Sequence, residues 1–192
     1  MKLMIASDIH GSAKWCEKML AAWRQEAPER LVLLGDLLYH GPRNELPEGY
    51  APKAVIDMLN DVAPHLLCVR GNCEAEVDQM VLSFPVMADY AALLVEGHVV
   101  YATHGHIWNE GNPPPLQGGD VLLCGHTHIP RCHRCEGITC VNPGSVSIPK
   151  QNTPHSYATL EDGVMVWKDL EGGEYMRERL WQVTFDLSST AR

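Results

Sequence analysis

Seven residues carry side chains that bind hard or borderline metal ions: Asp8, His10, Asp36, Asn72, His104, His126 and His128. They offer two carboxylates, four imidazoles and one amide oxygen. That mixture suits Mn²⁺, Fe or Zn²⁺ better than Ca²⁺ or a structural zinc site. Seven donors are too many for one catalytic ion that must keep an open position. They divide naturally between two ions sharing one carboxylate, and two metals about 3.5–4 Å apart form a clamp suited to in-line displacement at phosphorus. A lone Asp-x-His or Gly-Asp has an equally plain reading as a turn. The weight rests on the ordered set.

That order comes from the elements. Apolar runs of strand length, at residues 3–6, 31–34, 66–69, 98–102 and 121–124, each lead into part of the set. Ligands bind at the carboxyl ends of strands in open α/β sheets, so all seven side chains are expected on one rim. The pairs Asp8/His10 and His126/His128 are two apart, and in extended backbone such residues project to the same side. Ser12 is the expected N-cap of a helix whose face carries Trp15, Met19 and Trp23. Residues 53–62 form a second helix, with Val55, Ile56 and Leu59 inward and Pro64 as its stop. Strands alternating with helices imply right-handed crossovers and a parallel sheet.

The second half changes character. Turn pairs at Glu96-Gly97, Glu136-Gly137, Asp162-Gly163 and Gly172-Gly173 punctuate short strands, which implies a second, more antiparallel sheet. The expected fold class is α/β, a four-layer α/β/β/α sandwich of two mixed sheets flanked by helices. At 192 residues it is expected as one domain, with a frayed polar tail at 186–192. Loops at 40–52 and 109–119 are long enough to be functional.

These motifs resemble the calcineurin-like metallophosphoesterases, whose pattern runs D-x-H, G-D, G-N-H-[DE], H, G-H-x-H. Here it stands as Asp8-x-His10, Gly35-Asp36, Gly71-Asn72-Cys73-Glu74, His104 and Gly125-His126-x-His128. Gly41-Pro42-Arg43-Asn44, residues 46–52, residues 76–80 and the stretch NPGSVSIPK at 142–150 are similar to the small bacterial YfcE-type phosphodiesterases of that superfamily. The resemblance runs through about Trp167. It implies the metallophosphoesterase sandwich, with Asp8, His10, Asp36 and His128 on one ion. Asp36 would bridge to a second ion completed by Asn72, His104 and His126. Manganese is the usual metal of the subgroup, with Zn²⁺, Fe or Mg²⁺ as alternatives. The implied reaction is hydrolysis of a small phosphate diester by hydroxide held on the ions, since coordination lowers the pKa of water to roughly 7. Relatives form dimers or tetramers, so a homo-oligomer is a possible assembly.

One departure matters. The family has His after Gly-Asn, a group regarded as steadying the transition state or protonating the leaving oxygen; this chain has Cys73. A thiol titrating near 8.5 is a poorer donor and carries no positive charge. Cys73 therefore either takes part in catalysis, favouring good leaving groups, or only fills space. Asn72 could touch the phosphate as well as a metal. Arg43 either contacts a phosphate oxygen, for which guanidinium is suited, or is a solvated surface residue. His106 lines the substrate side or supports a ligand, and Arg70 pairs with a neighbouring acid.

Composition bounds the alternatives. A formal charge of −9 argues against a long nucleic acid held by phosphate contacts, which leaves a nuclease or nucleotide phosphoesterase of the same fold as the runner-up. A non-catalytic scaffold like the retromer subunit of this fold would lack a full ligand set. No apolar run reaches the 18 or so residues of a membrane span, and the apolar start is too short for a signal peptide. The expected location is the cytoplasm, away from membranes. Seven scattered cysteines look like reduced thiols. Cys132-His133-Arg134-Cys135 suggests a zinc knuckle or redox pair, but residues three apart on a strand face opposite sides, and no second such pair follows. His65, His98 and His155 have no partner in the sequence, and Trp15 and Trp23 read as core packing.

Overall fold

The computed structural model describes residues 1–182, so the tail expected at 186–192 lies outside the described residues. Strands β1 (Leu3–Ala6), β2 (Arg30–Leu33) and β3 (Leu66–Cys68) are parallel neighbours, with Leu3 beside Arg30 and Leu31 beside Leu66. Helix α1 (Ala13–Glu26) makes the first crossover. Ser12 caps it, its hydroxyl accepting from the Trp15 amide at 3.3 Å. Helix α2 (Pro52–Asp61) makes the second; it starts at Pro52, whose missing N–H costs nothing in the first turn. A 3-10 turn at Ala63–His65 then takes up Pro64. A short helix α3 (Glu76–Val81), which the apolar periodicity does not announce, follows the third strand.

The buried stripe of α1 differs from the expected one. It runs through Cys16, Met19, Leu20 and Ala22, while Trp15 and Trp23 are half-buried at its edges. A helix lying on a sheet buries one apolar band, and here the band centres on Met19 and Leu20. Trp15 stacks instead on His155, with ring centroids 3.6 Å apart.

The first sheet continues through β9 (Ser156–Glu161), β10 (Val164–Asp169) and β11 (Glu174–Arg179), in the order β11-β10-β9-β1-β2-β3. It is mixed, because β9 runs antiparallel to β1. The second sheet contains β4 (Tyr90–Val95), β5 (His98–Thr103), β6 (Val121–Leu123), β7 (Arg131–Cys135) and β8 (Ile138–Asn142), in the order β4-β5-β6-β8-β7. In it, β5, β6 and β8 are parallel. The expected hairpin turns are present. Glu96-Gly97, Glu136-Gly137 and Asp162-Gly163 take positive φ at both positions, the turn whose twist suits paired strands.

Strand alternation distributes the core. Leu3, Ile5, Val32, Leu34 and Trp167 of the first sheet meet Val100, Ala102, Val121 and Leu123 of the second between the sheets. Met4, Ala6, Leu31 and Leu33 face Cys16, Met19, Leu20, Val55 and Leu59 of the helices. The central strands thus bury both faces, as parallel strands do. The fold class is the expected one, two mixed sheets with flanking helices. One layer is built differently in detail. The outer face of the second sheet carries Tyr101, Leu122, Ile138 and Cys140, and Leu116 of the 109–119 loop packs on them. Pro113-Pro114-Pro115 keeps that segment from forming a helix.

Candidate metal centre

All seven expected ligands meet where β1, β2, β3, β5 and β6 end. Asp8 Oδ1 lies 3.3 Å from His128 Nε2 and 3.6 Å from His10 Nε2. Asp36 Oδ2 stands between two imidazoles, 3.6 Å from His10 Nε2 and 3.4 Å from His104 Nε2. His104 Nε2 is 3.1 Å from Asn72 Oδ1 and 3.2 Å from His126 Nδ1. Donor atoms of Asp8, His10 and His128 form one compact group, and those of Asp8, Asp36 and His104 a second.

The reason for convergence is not the expected one. Asp8, His10, Asp36, His126 and His128 have φ of 62°, 48°, 56°, 65° and 62°, in the left-handed region, so neither x-spaced pair is extended. Each such residue costs on the order of 1–2 kcal/mol outside glycine. The sharp path is held by hydrogen bonds between loops: the amides of Asp8 and His10 donate to the carbonyls of Gly35 and Asp36, at 3.1 and 2.8 Å. Strain of this kind collects at functional sites.

A second set of groups fixes the ligands. The Nδ1 atoms of His10, His104 and His128 face the carbonyls of Tyr39, Leu34 and Ile148 at 2.7 to 2.8 Å, which turns each Nε2 lone pair to the centre. Glu74, noted in the sequence only as the acid after Cys73, is buried and accepts from three amides. Its Oε2 takes Asp36 at 2.8 Å and Gly71 at 2.5 Å, and its Oε1 takes Leu37 at 2.7 Å. Gly71 must be glycine, because a Cβ there would meet Asp36 Oδ1 at 2.1 Å. The stretch at 142–148 is the other support. Ser145 and Ser147 hydroxyls donate to the Asp8 carbonyl at 3.1 and 3.0 Å, and Asn142 Nδ2 donates to the Gly125 carbonyl at 2.7 Å. The signal for these residues is an uncommon motif with buried serines, not a ligand pattern.

The electrostatics suit cations. Burial raises the Asp8 carboxyl, but His10, His128 and His104 outweigh it and hold it well below the usual carboxylate range. Burial also opposes ionisation of Asp36, and His104 again reverses the balance. Burial lowers the His104 imidazole, yet Asp36 and Asp8 push it up to about 9; His10 is raised by the same carboxylates. Burial, with Asp36 beside it, pushes Glu74 up to about 7 despite its three amides. Asp8 Oδ1 and His10 Nε2 are buried without a hydrogen-bond partner among the described residues. Orphaned atoms of this kind need a partner, and a divalent cation between them fits the donor set.

Other expected residues separate. Cys73 reaches the centre: its amide donates to Asp36 Oδ1 at 2.9 Å, and its sulfur groups with His10 and Asp36. Burial and Asp36 push its thiol far above the ordinary range. His106 rests edge-on against His104, with ring centroids 5.3 Å apart. Arg43 is exposed and forms no hydrogen bond or ion pair among the described residues. Its loop still touches the site, since a Cβ on Gly41 would lie 3.5 Å from the Cys73 sulfur. Arg70 pairs with Asp89 at 2.6 Å. Cys132 faces the core between the sheets and Cys135 the outer cluster, which separates them as the strand alternation requires.

Comparison with known proteins gives this geometry a context. The model of the calcineurin-like phosphoesterase superfamily domain matches residues 1–162. The chain is 50% identical over 165 residues to phosphodiesterase YfcE of Escherichia coli (strain K12), covering 86% of this chain and 90% of the relative. The solved structure of that E. coli phosphoesterase superposes with a TM-score of 0.91 at 46% identity, over 94% of this chain and 100% of that one. Vps29 from Entamoeba histolytica, solved with zinc, shares the fold at 18% identity and a TM-score of 0.61, covering 94% and 99% of the two chains.

Proposed function

The chain belongs to the calcineurin-like phosphoesterase superfamily, and on that premise we propose that it hydrolyses small phosphate diesters with two divalent cations, Mn²⁺ by the habit of the subgroup it resembles. One observation carries the two-ion reading. Asp36 Oδ2 lies between His10 Nε2 and His104 Nε2, so a single carboxylate oxygen serves both halves of the ligand set. Asp8, His10 and His128 then stand on one side, with Asn72, His104 and His126 on the other. Two ions so held supply Lewis acidity at phosphorus and a nucleophilic water at neutral pH.

The chain's own residues do the rest. His10, His104 and His128 are locked with Nε2 inward, so they bind without a rotamer search. Glu74 holds the Asp36 and Gly71 loops in register. Asn72 is exposed at the rim and is placed to touch a phosphate oxygen as well as a metal. Arg43 and His106 are the proposed substrate contacts, from the 40–52 loop and from the segment after β5. Cys73 occupies the place of the family's histidine, and its thiol stays protonated, a weak donor to a leaving alkoxide. The resulting preference is for substrates with good leaving groups.

The charge of −9 favours small substrates over long nucleic acid. No described helix is long and apolar enough to cross a membrane, and a cytoplasmic enzyme, possible as a dimer or tetramer, is the setting that fits this reading. A scaffold role is less well supported: the likeness to Vps29 is one of fold, and here every ligand position is filled.

The test is a panel of mono- and diesters assayed with Mn²⁺, Mg²⁺ and Zn²⁺, with metal content measured on wild type and Asp36→Asn. The variant is expected to lose one or both ions and at least the roughly 100-fold in rate that even an outer-shell loss can cost. Full-speed cleavage by Asp36→Asn, or no metal in the wild type, would overturn the proposal.

A further inference from the structure

His155, a histidine without a partner in the sequence, is the meeting point of three segments. Its imidazole lies flat on the Trp15 indole of α1, with ring centroids 3.6 Å apart and planes 14° from parallel. Its Nδ1–H donates to the Val146 carbonyl at 2.9 Å, and its own carbonyl accepts from the Leu170 amide at 3.0 Å. The next residue adds a parallel bond, from the Ser156 amide to the Ser145 carbonyl at 3.1 Å. Trp15 is pinned in turn. The Nζ atoms of Lys14 and Lys18 stand 4.8 and 5.3 Å from its ring centroid, and these lysines pair with Glu48 and Glu171.

The segment held in this way serves one half of the metal centre. The Val146 amide donates to the Ser7 carbonyl at 3.0 Å, and the Ser147 amide to the Asp8 carbonyl at 3.2 Å. The Ser145 hydroxyl, besides donating to Asp8, accepts from the Ile148 amide at 3.0 Å, and the Ile148 carbonyl turns His128. Asp8 has a φ of 62°, a conformation that a residue other than glycine keeps only where its surroundings hold it. Asp8 and His128 thus both hang on residues 145–148. The other half is anchored elsewhere: His104 is turned by the Leu34 carbonyl, and the Asp36 amide is held by Glu74. Resting on the two-ion reading above, we propose that Trp15 and His155 are positioning residues for the ion of Asp8, His10 and His128. The indole fixes the plane of the imidazole, the imidazole fixes the Val146 carbonyl, and the segment around Val146 sets Asp8 and His128. Partners of this outer kind are worth about 10- to 100-fold in metal affinity.

Substitution separates the stack from the hydrogen bond. His155→Phe keeps a flat ring against Trp15 and loses the N–H; His155→Asn keeps an N–H donor near the place of Nδ1. Both Trp15 and His155 are half-buried, so the full chain is expected to fold, and melting of the metal-free variants checks that it does. Mn²⁺ binding is measured in two backgrounds. In His126→Ala, which leaves the Asp8 half alone, His155→Phe should weaken binding about 10-fold and His155→Asn no more than about threefold. In His128→Ala, which leaves the other half, His155→Phe should change binding less than about threefold. A second measurement needs no metal. Amide hydrogen exchange at Val146 and Ser147 should quicken about 10-fold in His155→Phe and in Trp15→Ala, while Val32 in β2 keeps its protection. Equal weakening in the two backgrounds would overturn the proposal, as would wild-type affinity in His155→Phe or unchanged exchange at Val146. Absence of metal from the wild type would instead sink the two-ion reading, and the exchange rates would still decide whether the stack holds the segment.

Discussion

Which nitrogen each imidazole offers, and whether it carries a proton, decides how the centre takes up metal. In the chain alone His104 is pushed up to about 9 by Asp36 and Asp8. It is therefore protonated at neutral pH and must lose that proton to ligate. Metal affinity should rise with pH by up to about tenfold per unit and level off near the His104 value. Calorimetry in buffers of different ionisation enthalpy should show proton release on binding; pH-independent affinity between about pH 6 and pH 9 would contradict this. Cys73 gives a second prediction at this scale. Cys73→His restores a proton donor beside Asp36 and should raise the rate on alkyl-leaving-group diesters by about 100-fold, the low end of what a positioned acid contributes. Diesters with aryl leaving groups should change little, and unchanged alkyl rates would remove Cys73 from the chemistry. The convergence of the seven expected ligand side chains was legible because each lies just after an apolar run. Their protonation was not, because it depends on carboxylates from other strands.

The elements that deliver the ligands were also partly legible. Apolar runs and crossover helices announced the rim, and glycine turns announced the hairpins. What the pattern could not show was the backbone at the strand ends, where five of the expected ligands are left-handed because neighbouring loops hydrogen-bond through their main chains. The motif shows Glu74 as an acid but not its task, for a similar reason: its bonds to the Asp36 and Leu37 amides span 38 and 37 residues and leave no local signature. The repeat of Trp15, Met19 and Trp23 marks the core-facing side of α1 without marking its centre, which falls at Met19 and Leu20 while both tryptophans pack at the edges. The close approach of the Gly35 and Gly71 loops can be tested directly. A methyl group on Gly71 must displace the Asp36 carboxylate. Gly71→Ala should thus lose about 1–3 kcal/mol of stability, as overpacked sites do, together with most metal binding. A variant that melts like wild type and keeps both ions would show that the loops are not in contact.

At the scale of the whole molecule, the negative charge and the cation-binding rim belong together. The chain has 24 acidic residues against 15 lysines and arginines, so positive potential for a phosphate must come from bound ions. A reaction governed by direct coordination should be nearly insensitive to salt: cleavage of a small diester should change less than about twofold between roughly 50 and 200 mM, where multi-phosphate binding falls by orders of magnitude. A steep decline would return the nuclease reading. Assembly of the rim also draws on the far end of the chain. Every proposed ligand precedes residue 129, but the Asp8 carbonyl is held by Ser145 and Ser147, and β1 is flanked by β9 at Ser156–Glu161. During synthesis, then, the first aspartate emerges from the ribosome long before anything exists to hold it. A nascent polypeptide stopped at residue 141 would lack the serine hydroxyls that hold the Asp8 carbonyl, the Ile148 carbonyl that turns His128 and the β9 neighbour of β1, so the cradle of the first aspartate is finished only when the last third of the chain has been made.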